Sequence, residues 1–253
     1  MELAVGAIVG LVLGMTGAGG AVFAVPLFML LLGYSTSHAA GMSLGVVSIS
    51  AMVGVATRLP QKLICWRTAA AMIAGGALLA PVGRWLSMQL DERLKLVGFS
   101  LLALFIAVRM ILQARSHRKA VKNDQPLPQQ REVSWSILAL TGAATGLLSG
   151  LFGVGGGFFV VPILTLFVGM AMKRAAATSL LVISVVSTVG FGSHLMLQPM
   201  SDWSVLLEIT AGAVTGMIIG TLVTRWVSGP KLQEIFATCV VGLVSITLVQ
   251  EFL

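Results

Sequence analysis

Apolar stretches of roughly 14 to 23 residues follow one another along almost the whole of this 253-residue chain. A helix needs about 20 such residues to cross the hydrocarbon core of a bilayer. One or two stretches could be buried in a soluble core, but ten would leave no polar surface to face water. Composition agrees: 57% of the residues are hydrophobic and 10% are charged, against about 25% charged in a soluble domain. The chain reads as an all-α polytopic membrane protein.

The segments fall into two sets related by duplication. Displacing the sequence by 136 positions sets Gly10 on Gly146, Gly14 on Gly150, Gly17 on Gly153 and Gly19-Gly20 on Gly155-Gly156. The register runs without a gap through Val25-Pro26 on Val161-Pro162, Gly33 on Gly169, Ala39-Ala40 on Ala175-Ala176, Ser43-Leu44 on Ser179-Leu180 and Gly54 on Gly190. It then drifts by one, with Trp66 on Trp203 and Gly75 on Gly212. A fixed internal period is the mark of a repeated structural unit. Each half holds five apolar segments, near 3–16, 20–33, 38–57, 66–88 and 94–113, then 135–150, 157–170, 175–196, 203–225 and 232–251. The expected organisation is a first membrane repeat over 1–113, a basic linker over 114–134 and a second repeat over 135–253. The N-terminus carries Glu2 instead of a basic region, and its pattern recurs in mid-chain. It is therefore read as mature protein, not a signal peptide.

The first two segments of each half are short. Fourteen residues reach about 21 Å at 1.5 Å each, less than the roughly 30 Å of a hydrocarbon core. Each pair is therefore either one broken crossing or a re-entrant hairpin, and the distribution of basic residues decides between them. With re-entrant pairs and a cytoplasmic linker, Arg58, Lys62, Arg67, Arg109, Arg115, Arg118, Lys119, Lys122, Arg131, Lys173, Arg174, Arg225 and Lys231 lie inside. Only Arg84, Arg93 and Lys95 then lie outside, thirteen against three. A single crossing per pair moves Lys173, Arg174, Arg225 and Lys231 outside, nine against seven. The two repeats are thus expected to have inverted topology, with both termini outside the cytoplasm. Trp66, Trp85, Trp135, Trp203 and Trp226 fall at segment ends, as an interfacial aromatic belt requires.

Between the short segments lie Gly14-Met-Thr-Gly-Ala-Gly-Gly20 and Gly150-Leu-Phe-Gly-Val-Gly-Gly-Gly157. Gly6, Gly10, Gly14 and Gly142, Gly146, Gly150 have the small-xxx-small spacing of close helix packing. The clusters after them are too dense for a stable helix interior. Non-helical backbone at membrane depth survives only where protein buries it or a cavity bathes it. The helix that follows each turn would aim its first N–H groups and positive dipole end at a bound anion. Two inverted hairpins would bring two such ends together at the midplane, as at the repeat interface of a secondary transporter. No Walker lysine follows the glycines, so a nucleotide site is not supported.

At these residues the sequence resembles the TauE/SafE family of sulfite-exporter-like membrane proteins. The resemblance runs through both halves, on Gly17-Ala-Gly-Gly20 with Pro26 and Gly153-Val-Gly-Gly-Gly157 with Pro162, followed by Ala40-Gly-Met-Ser-Leu44 and Ala177-Thr-Ser-Leu180. It implies export of a small anion such as sulfite, a sulfonate or a related organic acid, from a bacterial inner membrane. The substrate-facing positions it implies are Gly17, Gly19, Gly20 and Ser43 in the first half. In the second they are Gly153, Gly155, Gly156, Gly157, Thr178 and Ser179. Ala21 stands where the second half has Gly157, and Met42 where it has Thr178, so the first half-site is less polar.

Glu208, His38 and His194 are the candidates for proton coupling, since an ionisable group within a membrane segment is a functional hypothesis by default. Hydration near a surface is the competing account for each. Cys65 and Cys239 have no metal or redox spacing. The sequence offers no nucleophile–base pair, carboxylate dyad or metal cluster, so neither enzyme activity nor a cofactor is expected. The net charge of +7 sits in loops without interleaved aromatics, which argues against nucleic acid. The expected partners are a small anionic substrate and the lipid bilayer, and a homo-oligomer is compatible with the sequence. A passive anion channel and a non-transporting membrane scaffold are the alternative functions.

Overall fold

The computed structural model describes residues 1–17, 19–122, 134–152, 157–197, 202–224, 226–227, 231–232, 234–235, 237–238 and 240–242. Among them it is all helical. The helices are α1 (Glu2–Thr16), α2 (Gly19–Leu32), α3 (Thr36–Arg58), α4 (Trp66–Ser87), α5 (Glu92–Lys122), α6 (Trp135–Phe152), α7 (Gly157–Leu166), α8 (Met172–Leu197) and α9 (Trp203–Val223). A 3-10 turn, Leu59–Gln61, follows α3. Helices are what a bilayer permits, because each backbone N–H and C=O must be satisfied within the segment. Six of them, α3 to α6, α8 and α9, contain stretches long and apolar enough to cross a membrane. The chain is a multi-pass membrane protein.

Repeat-related sequence produces repeat-related ends. Gly33 and Gly169 both take the left-handed conformation, with φ 69° and 71°. Beyond them Tyr34 N–H reaches back to the Phe28 carbonyl at 3.3 Å, and Met170 N–H to the Leu164 carbonyl at 2.9 Å. Each bond reaches back six positions across a left-handed glycine, the same closure in both halves. Trp66, Trp135 and Trp203 each open a helix and are exposed. One boundary differs from expectation: α5 runs on to Lys122, nine residues past the apolar segment. The stretch Ala114–Lys122 contains neither glycine nor proline, and its Ala, Arg and Lys residues favour helix in water as well as in lipid.

Two intimate helix pairs join the halves. A Cβ on Gly6, Gly10 or Gly14 of α1 would overlap backbone at Ile209, Ala213 or Met217 of α9. One on Gly142, Gly146 or Gly150 of α6 would overlap Met72, Gly76 or Ala80 of α4. Residue numbers rise together in both pairs, so the partners are parallel. The contacts are also reciprocal: every residue of the first set maps onto the second by a displacement of 136 or 137.

At the centre, α3 crosses α8. Here numbers rise on one helix as they fall on the other. Gly54 packs on Leu180, Gly190 on Leu44, and Gly41 against the His194 ring. Leu44 and Leu180, like Gly54 and Gly190, are equivalent under the 136 displacement, so two copies of one helix meet antiparallel. The crossing has an end marked by Arg58 and Lys173 and an end marked by Ser37, Arg84 and His194. These two ends position the polar groups described next.

Candidate functional site

Arg58, the last residue of α3, is 3% exposed. Its Nη2 donates to the Gly14 carbonyl in the last turn of α1, one of the carbonyls a helix end leaves without an internal partner. Its Nη1 is buried with no hydrogen-bond partner. Beside it opens a cavity of about 230 Å³ lined by Arg58, Gln61, Leu63, Lys173, Ala176, Thr224 and Leu232. Lys173 is exposed. Among these lining residues two are cationic and none is acidic.

The first glycine turn abuts this cavity. Gly17 has φ 74° and donates its N–H to the Leu13 carbonyl, ending α1. A side chain there would be strained by that φ and would also overlap Ala176. Ser179 Oγ bonds the Gly17 carbonyl at 2.8 Å and the Ala176 carbonyl at 3.0 Å. Gly17 and Ser179 are thereby gathered at Ala176, in the wall of the Arg58–Lys173 cavity, and α2 begins two residues after Gly17 at Gly19. Gly20 packs tightly on Val9 and Leu13 of α1, a close approach that accounts for glycine there.

The other expected site residues lie apart. Ser43 is fully buried with its hydroxyl unpartnered. It neighbours Leu44, which packs on Gly190, whereas Ser179 neighbours Leu180, which packs on Gly54. The two serines are therefore separated along α3 by about twelve residues, roughly 18 Å at 1.5 Å per residue. Thr178 is committed elsewhere: its Oγ1 accepts the Cys65 N–H at 3.0 Å and fastens the start of α4. Gly153, Gly155 and Gly156 lie outside the described residues, and Gly157 opens α7.

The glycines that precede the two turns pack at different ends of the molecule. Gly14, before the first turn, abuts Met217 and Gly220 late in α9; Gly150, before the second, abuts Ala80 and Gly83 late in α4. Late α9 leads to Thr224 in the Arg58 cavity, and late α4 carries Arg84 at the opposite end. The reason is length. Fifteen residues of α1 rise about 22 Å, which carries the turn past the middle of a roughly 30 Å core.

The candidates for proton coupling separate as well. His194 is 3% exposed and its Nδ1 lies 3.0 Å from Arg84 Nη2. Arg84 Nη2 also donates to Ser37 Oγ at 3.0 Å. His38 Nε2 lies 3.6 Å from the Asp202 carboxylate, and its ring stands 4.7 Å from Tyr34. Glu208 is exposed on α9.

The residues that sequence reasoning passed over are Arg58, Lys173, Arg84 and Ser37. The basic three were counted only as topology markers. The repeat register held a signal, since a displacement of 136 sets Arg58 on His194 and Ser37 on Lys173. Polar residues thus stand at equivalent positions at both ends of the α3/α8 crossing.

Known proteins fit this picture. The chain matches the family described as Sulfite exporter TauE/SafE over residues 2–248. A "probable membrane transporter protein" of Xylella fastidiosa is 30% identical over 244 residues, covering 94% of this chain and 90% of the relative. Bacillus subtilis YunE, named likewise, is 25% identical over 87% of this chain and 86% of its own. A Methanocaldococcus jannaschii protein of the same description is 30% identical over 76% of this chain and 70% of its own. No solved structure matches the chain. With a profile match over nearly its whole length and an all-helical, multi-pass fold, the chain belongs to the sulfite exporter TauE/SafE family of membrane transporters.

Proposed function

We propose that this transporter is a secondary carrier that exports a small anion, of the sulfite, sulfonate or organic-acid class, by alternating access between two inverted halves. The observation that carries the reading is the Arg58–Lys173 cavity. It presents a buried guanidinium with one free edge and an exposed ammonium, with no carboxylate among its described lining. A cation desolvated in this way has no internal counter-charge, and an oxyanion supplies one. The start of α2 beside it adds helix N–H groups and a positive dipole end. Substrate-facing roles fall to Arg58, Lys173, Gly17, Gly19 and Ser179 at this end, and to Ser43 at the other.

Inversion of the halves is supported by the antiparallel meeting of α3 with its repeat-equivalent α8 and by the basic-residue count. The same count puts the Arg58 end in the cytoplasm, so the open cavity loads from inside, which favours export. Proton coupling is assigned to His194 before Glu208, because His194 is buried in the polar cluster at the far end of the crossing.

The test is flux in liposomes loaded with labelled sulfite or, separately, a short alkyl sulfonate. The expected result is saturable efflux accelerated by unlabelled anion on the far side. Ohmic single-channel current would make the protein a channel, and no anion movement under any gradient would end the transport reading.

A further inference from the structure

The repeat register allows the two ends of the α3/α8 crossing to be compared residue by residue. At one end the cavity walls carry Arg58, Lys173 and Thr224. The equivalent positions at the other end are His194 and Ser37, at a displacement of 136, and Ser87, at 137. The cations of the first end are thus replaced by neutral groups at the second. The exchange is reversed at another position: Arg84 of α4 corresponds to Thr221 of α9. Arg84 projects its guanidinium between the two substituted positions, with Nη2 at 3.0 Å from both Ser37 Oγ and His194 Nδ1. It is 5% exposed and its Nε is buried without a partner.

We infer that Arg84 is a built-in plug of the second, repeat-related anion site. Its guanidinium lies where, at the open end, a bound anion would sit between Arg58 and Lys173. Arginine offers only donors, so Arg84 is held by two neutral acceptors, Ser37 and His194, and repels no wall group. Opening this end requires the guanidinium to leave those acceptors. Once free, it supplies the guanidinium that the three equivalent positions Ser37, Ser87 and His194 do not, beside the Lys95 ammonium held at the Ser87 carbonyl, and an oxyanion binds it there. One residue thus closes the site in one state and binds the substrate in the other. The inference rests on the two-ended transport reading proposed above, and it can be tested without transport.

The repeat supplies matched probes, because Ser87 and Thr224 occupy equivalent positions and are both buried small hydroxyl residues. In full-length, detergent-solubilised protein with Cys65 and Cys239 changed to Ala, Ser87→Cys and Thr224→Cys are labelled separately with a small charged thiol reagent. Labelling follows the fraction of time a site is open, so Thr224→Cys is expected to react at least about tenfold faster than Ser87→Cys. Adding Arg84→Thr, the residue its equivalent position uses, raises the Ser87→Cys rate by about tenfold or more and leaves Thr224→Cys unchanged. Arg84→Lys keeps a donor on a long stem and leaves Ser87→Cys protected.

The inference is overturned if Ser87→Cys is as reactive as Thr224→Cys with Arg84 in place, or if it stays protected in Arg84→Thr. Should Arg84→Thr fail to give a monodisperse protein, His194→Ala removes only an acceptor and is read by the same two outcomes. Absent anion flux in liposomes alongside the expected labelling would defeat the transport reading and leave the plug standing.

Discussion

Burying Arg58 is a costly way to tie α3 to α1, since an apolar side chain of similar length would fill the same space without desolvating a charge. If its role is to bind an anion, removing the charge should separate function from stability. In Arg58→Met the relief of that desolvation offsets about 1–3 kcal/mol for the Gly14 carbonyl left unpaired, so the unfolding temperature is expected to change little while the initial anion flux falls more than about tenfold. The lost charge-assisted contact is worth about 1.5–3 kcal/mol. Thermal unfolding in detergent and liposome flux measure the two effects, and a joint fall would make Arg58 a structural tie instead. Thr178 provides the opposite case. Thr178→Val leaves the Cys65 N–H without its acceptor, a loss of about 1–3 kcal/mol; flux per folded molecule should be kept. A selective loss of flux at full stability would restore Thr178 to the substrate path. The break at Gly17 was legible in the sequence because a dense glycine cluster interrupts a helix, and Ser179 was singled out because the small residues at the start of α8 repeat those of α3. Arg58 was not, because its role depends on where α3 stops, and a cation one turn farther along would have been an ordinary loop charge.

At the scale of helices, the glycine stripes hold the halves together, and their spacing announced close packing. Gly10 and Gly146 are equivalent, each facing the carbonyl of a parallel partner helix, at Ala213 and Gly76. Backbone cannot move aside as a side-chain tip can, so a methyl group there forces the pair apart. Gly10→Ala and Gly146→Ala are each expected to destabilise the protein by about 1–3 kcal/mol, the usual cost of overpacking. Gly192→Ala, on the same kind of helix but facing open space, should be neutral. Denaturant titration in mixed micelles compares the three, and equal stabilities would mean that the α1/α9 and α4/α6 contacts carry little of the fold. Sequence identified the small residues and the shortness of the first segments, yet not which helix each stripe would face. Pairing α1 with the fourth segment of the other half is a long-range choice, made by the match between two stripes instead of by either one. The extension of α5 to Lys122 was equally hidden, because apolarity marks where lipid ends and helix propensity marks where the helix ends.

The two kinds of evidence about the whole molecule are independent and bear on one prediction. Basic residues, counted along the chain, favour re-entrant first pairs and halves of opposite orientation. Packing brings α3 and α8 together antiparallel, with Leu44 on Gly190 and Leu180 on Gly54. Neither argument uses the other's facts. If both are right, a single membrane orientation fixes every loop. Lys62, at the Arg58 end, then lies in the cytoplasm, while Asp91, in the turn after α4, and Met1 lie outside. Single cysteines at positions 62 and 91, in a Cys65→Ala, Cys239→Ala background, report this directly in intact cells. An impermeant thiol reagent should label Asp91→Cys at once and Lys62→Cys only after the membrane is opened. A C-terminal alkaline phosphatase fusion, active only outside the cytoplasm, should be active. Labelling in the reverse order with an inactive fusion would turn the molecule over and make the Arg58 cavity an entrance for import. The geometry within the bundle would be unchanged, because the antiparallel crossing holds whichever face is inside. Labelling of both cysteines in intact cells would be more damaging. It would put both ends of α4 on one side of the membrane and break the link between helix direction and topology on which alternating access depends.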